Sequence, residues 1–135
     1  MSTFKTNQKF PNSGGQTLAG HIPSTSLASA ATTITTNGWV RGGGCRAWQL
    51  NCEVTTFAAG TAIFKFFAAT DKDGAGGAEI TGADSVTMTA VGHAKIELSD
   101  AAIPAARPFI CGYAITAGGT NVCKAVMLQL DPAYS

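Results

Sequence analysis

From residue 34 to residue 130, apolar side chains recur at every second position in one short run after another. That is the spacing of half-buried β-strands, not of helices. In CRAWQLNCEV, Arg46, Trp48, Leu50, Cys52 and Val54 share one face, and Cys45, Ala47, Gln49, Asn51 and Glu53 share the other. The pattern places Trp48, Leu50 and Val54 in a core. AIFKFFAA is apolar on both faces, so a strand there needs cover on both sides. VTMTAVG and HAKIELS alternate cleanly, and Gly92-His93 between them suggests a tight hairpin. RPFICGYAITAG puts Phe109, Cys111, Tyr113 and Ile115 on one face, and NVCKAVMLQL separates Val122, Lys124, Val126, Leu128 and Leu130 from Cys123, Ala125 and Met127. Gly118-Gly119 suits a second hairpin turn.

Strands are expected at 34–40, 45–54, 62–70, 78–80, 84–91, 94–99, 107–117 and 121–130. The segment SDAAIPAARP meets Pro104 and Pro108 and allows one helical turn at most. About eight short antiparallel strands make an all-β domain, a single jelly-roll-like β-sandwich. Residues 1–33 are polar, carry Gly14-Gly15, Pro11 and Pro23, and show no sustained period, so they are expected to be an extended N-terminal arm beside a domain at 34–135.

Composition narrows the partners. The 135 residues are 45% hydrophobic but only 13% charged, and the formal net charge is +1. Without a basic cluster there is no footprint for nucleic acid. No run reaches the length of a signal peptide or a membrane span, so synthesis in the cytoplasm is expected. A surface this poor in charge gives little protection against self-association and suits a subunit of an assembly.

Chemical motifs are sparse. Asp71-Lys72-Asp73-Gly74 puts glycine at the fourth position, where a calcium loop needs it at the sixth, so the loop reads as a turn. Asp71, Asp73, Glu79 and Asp84 are the acids that could gather there. His21 and His93 have no metal-ligand spacing, and Cys45, Cys52, Cys111 and Cys123 have no C-x-x-C spacing. Nucleophile-elbow and phosphate-loop motifs are absent from the sequence. The reading is a non-enzymatic chain with no metal and no cofactor. Trp39, beside Asn37-Gly38, is the aromatic residue placed to be exposed. It keeps open a second function, a carbohydrate-binding or fibre-type jelly-roll module.

The polar arm, the strand FKFFAAT, the loop DKDGAGGAEITGAD, the pair VTMTAVGHAKIELS, RPFICGYAIT, the Gly-Gly turn and the ending LQLDPAYS resemble the small head decoration, or cement, proteins of tailed bacteriophages. The resemblance covers residues 34–135. It implies a jelly roll bound to the outside of a capsid lattice, a homo-oligomer (dimer or trimer), and the major capsid protein as partner, with the protein residing on the virion surface. In that role Phe4, Phe10, Leu18 and Ile22 are the expected apolar anchors of the arm.

Overall fold

The computed structural model describes residues 16–28, 31–34 and 39–132. Within them lie ten strands. They are β1 Gln16–Ala28, β2 Ala31–Ile34, β3 Val40–Arg41, β4 Cys45–Thr56 and β5 Thr61–Ala69. After these come β6 Ala78–Glu79, β7 Ser85–Met88, β8 Gly92–Ser99, β9 Phe109–Ala117 and β10 Thr120–Pro132. One 3-10 turn, Asp100–Ala102, sits where the sequence allowed a single helical turn.

Two antiparallel sheets face each other. One has four strands in the order β1-β10-β4-β8. The other has six, in the order β2-β9-β5-β6, with β3 also on β9 and β7 also on β5. Since β2 and β3 share one edge of β9, and β6 and β7 share one edge of β5, the strands fill eight positions. The chain passes between sheets at nearly every connection, which is the jelly-roll order.

The core lies between the sheets. Trp48, Leu50, Cys52 and Val54 of β4 and Cys123, Ala125 and Met127 of β10 pack against Phe64, Phe66 and Ala68 of β5 and Ile110 and Ala114 of β9. The alternation read in CRAWQLNCEV therefore fixes the buried face of β4 correctly.

Three expectations are corrected. Residues 16–28 are a strand of the sandwich, paired with β10, and 31–34 pair with β9, so among the described residues strands are present before residue 34. The expected hairpin at Gly92-His93 does not form: β7 pairs with β5 in one sheet and β8 with β4 in the other. The same holds at Gly118-Gly119, since β9 and β10 belong to different sheets. A period of two tells which face of a strand is buried, but both layers bury a face into the same core, so it does not assign a strand to a sheet.

Candidate interaction surface

The outward faces of the two sheets carry further apolar side chains. On β9, Ile110, Gly112, Ala114 and Thr116 point inward, and Phe109, Tyr113 and Ile115 lie half-buried on the outside. The register places Ile115 opposite Ile63 and Tyr113 opposite Lys65, whose outward neighbour along β5 is Phe67. The inner face of β9 is small because Trp48, Phe64 and Phe66 already fill the space between the sheets. The bulkier face turns outward as a consequence.

Part of that outer face is roofed. Phe67 and Tyr113 stack with centroids 4.1 Å apart, and Trp39 lies 5.9 Å from Tyr113 at a tilt of 53°. The indole of Trp39 rests on the 71–77 loop: its backbone N–H donates to Lys72 O at 2.9 Å, and a Cβ built on Gly74 would come within 2.2 Å of its Nε1. Cys111, opposite Phe67 on the same outward side, is fully buried. This roof explains why AIFKFFAA is apolar on both faces. The rest, Ile63, Ile115 and Phe109, has Arg41 over the Phe109 ring at 5.5 Å and the Lys65–Glu79 ion pair at 3.0 Å beside it.

The acidic loop is held by backbone geometry. Asp71 Oδ1 accepts the N–H of Asp73 at 2.9 Å and of Ala75 at 3.1 Å. These bonds, the one from Ala75 first, hold the Asp71 carboxyl below the usual carboxylate range. Arg107 Nε braces the loop by donating to Gly76 O at 2.8 Å. Glu79 pairs with Lys65, and Asp84 accepts the Glu97 N–H at 3.3 Å, so the four acids are not brought together. Among the described residues no group of three or more His, Cys, Asp or Glu could hold a metal ion. Gly74 has φ +88°, so Gly74→Ala meets both a left-handed backbone and the indole. A loss of about 2 kcal/mol is expected in urea melts, with a shift in Trp39 emission. An unchanged midpoint would show that the roof is loose.

The outer face of the four-stranded sheet is graded. Ala47 and Leu130 pair at one end, then Gln49 with Leu128, then Asn51 with Val126, then Glu53 with Lys124. Across β1, Leu18 pairs with Leu128 and His21 with Val126. Ala47 and Leu130 are 3% and 7% exposed, while Leu18 is 62% and Val126 37% exposed. The amides link to one another, Asn51 Nδ2 donating to Gln49 Oε1 at 2.9 Å. At the far end Glu53 joins Lys124 at 3.2 Å and His93 at 3.3 Å.

The expected arm residues divide accordingly. Leu18 is an exposed residue of β1 on this face, and Ile22 is a β1 residue paired with Ala125. Phe4 and Phe10 lie outside the described residues. Trp48 is buried as expected, and its Nε1 donates to Asp100 Oδ1 at 2.9 Å. Trp39, for which exposure and packing were both open, is half-buried against its loop and Tyr113. That is not a free platform for stacking a sugar. The outward aromatic row was the feature missed, although Phe109, Tyr113 and Ile115 share one face in the sequence.

All four cysteines are free thiols. Burial pushes Cys52 up to about 12 and raises Cys111 and Cys123 as well. Cys45 is half-buried and also raised by burial. At pH 8 a thiol reagent is therefore expected to modify Cys45 first, and the others only on unfolding. Fast native labelling of Cys52 or Cys111 would contradict this placement.

No family model matches the chain, and no curated protein matches it. Among solved structures, it is similar to a chain from Bacillus endospore appendages, described as a novel family of disulfide-linked pili. The identity is 13%, covering 93% of this chain and 99% of that one, at a TM-score of 0.42. A likeness this distant assigns no function. The resemblance to phage head decoration proteins is not shown by these comparisons.

Proposed function

We propose that the protein is a non-enzymatic structural subunit that works by packing its outer β-face against neighbouring proteins in a repetitive assembly. One observation carries this reading: β9 turns Phe109, Tyr113 and Ile115 outward, with Ile63 of β5 opposite Ile115. An apolar outer face on a surface poor in charge is the composition of an interface. Its ionisable groups serve as local braces: Lys65 to Glu79, Glu53 to Lys124 and His93, Asp71 within its turn, Asp100 to Trp48. The particular assembly we propose is the tailed-phage head, where the jelly roll would bind the assembled capsid lattice, as its resemblance to decoration proteins implies. Binding the lattice and not its separated subunits stabilises the assembly by mass action, and many identical sites give avidity from modest contacts.

The test is co-sedimentation with expanded phage heads stripped of their decoration protein, using the chain and Ile115→Lys. Pelleting of the first and loss of the second supports the phage reading. Failure of both to pellet overturns it, leaving the broader subunit role to be judged by self-association.

A further inference from the structure

We propose that the Asp84 carboxylate guards the outer edge of β8, and that without it this edge pairs with β8 of a second copy, antiparallel, about a two-fold axis at Ile96. β8 ends the order β1-β10-β4-β8, and among the described residues no strand pairs with its other side. The strand Gly92–Ser99 is 8 residues long and holds no proline. Such an edge is a template for another chain unless something occupies it.

One hydrogen bond shows which backbone groups the edge offers. Along an antiparallel strand, successive residues turn their N–H and C=O alternately toward one neighbour and the other. The Glu97 N–H donates to Asp84 Oδ2 at 3.3 Å, so Glu97 faces away from β4. Lys95 and His93 face the same way, while Leu98, Ile96 and Ala94 turn to β4.

Charge selects the register. Residues opposite each other share a face of the sheet, so the two-fold axis between identical antiparallel strands falls on a residue. With Ile96 on the axis, Lys95 lies opposite the partner's Glu97 and Glu97 opposite the partner's Lys95. With Lys95 or Glu97 on the axis, like charges meet. Both side chains are exposed on the outer face of the sheet, where opposite charges stabilise a cross-strand pair and like charges destabilise it. In the Ile96 register the Glu97 N–H has to donate to the partner's Lys95 carbonyl, and Asp84 already holds that N–H on each copy. Asp84 itself is exposed, in the loop before β7 of the other sheet, so its removal takes nothing from the core. The guard keeps copies from joining edge to edge and leaves the outer face of the six-stranded sheet as the contact the subunit uses.

The experiment is sedimentation of the full chain in the Ile115→Lys background, which disables the outer face of the six-stranded sheet and keeps the two contacts apart, with Tm measured for each variant. Ile115→Lys alone is expected to be a single copy. Adding Asp84→Ala should give a dimer, its dissociation constant lowered by about ten- to a hundredfold for the two guards released, at unchanged Tm. Adding Lys95→Glu or Glu97→Lys to that protein sets like charges opposite each other and should weaken the dimer about tenfold, and the two reversals together should restore it. A single copy at every concentration for Asp84→Ala, a dimer already present without it, or a dimer indifferent to the single charge reversals would each overturn the proposal.

Discussion

Trp48→Ala is expected to cost about 3–5 kcal/mol, a large fraction of the stability of a domain this size. The indole sits in the first half of β4, fully inside the sandwich, with Leu98 of β8 and Gln129 of β10 as its register neighbours. It also holds two loops. Its Nε1 donates to Asp100 Oδ1, and the same oxygen accepts the N–H of Gly43 at 2.8 Å. The Asp100 carboxylate thus ties the turn after β8 to the glycine loop before β4 and to the ring, and truncation removes core volume and one of its two donors. Trp48→Phe separates the effects: it keeps most of the volume and loses the donor, and should cost about 1.5–3 kcal/mol. Urea melts of the two variants, read by circular dichroism, check the order. A cost under about 1 kcal/mol for the alanine variant would contradict the packing described.

The second large effect is expected at Asn121, a fully buried polar side chain at the start of β10. Its Oδ1 accepts the N–H of Ala58 at 2.8 Å, and its Nδ2 donates to Ala59 O at 3.2 Å and lies 3.5 Å from Thr61 O. One amide therefore joins the connection before β5 to the turn before β10. The two loops touch closely: Gly60 has φ +75°, and a Cβ there would fall 1.8 Å from Ala117 O. Asn121→Ala leaves the Ala58 N–H without its acceptor and the buried amide's place empty, and about 1–3 kcal/mol should be lost. Asn121→Asp keeps the acceptor but forfeits the donors and buries a charge, so it should be the worse variant at neutral pH and recover as the carboxyl protonates. If Asn121→Ala melts like the unaltered chain, water has taken the amide's place.

Local spacing made much of the fold legible, and what it missed was settled by partners distant in sequence. The runs at 45–54, 62–70 and 121–130 appear as Cys45–Thr56, Thr61–Ala69 and Thr120–Pro132, because one face of each strand is sorted by water. β1 escaped because QTLAGHIPSTSLA has few apolar residues and an internal proline; its strand character comes from pairing with β10, whose register shifts on either side of the Ala125–Met127 stretch. The outward turn of Phe109 and Tyr113 escaped because the volume inside is decided by Trp48, Phe64 and Phe66 on other strands. The place of Trp39 was equally hidden, since the loop that packs on it follows more than thirty residues later. Of the expected anchors, only Leu18 and Ile22 fall among the described residues, and the face holding Leu18 became visible when β1 and β10 were seen side by side.

That the outer face of the six-stranded sheet exists to be covered by protein is tested most directly by sedimentation of the chain and of Ile115→Lys over a wide concentration range. A dimer or trimer that the lysine variant turns into a single copy, at unchanged Tm, is the expected outcome. A single copy at every concentration for both proteins would contradict it.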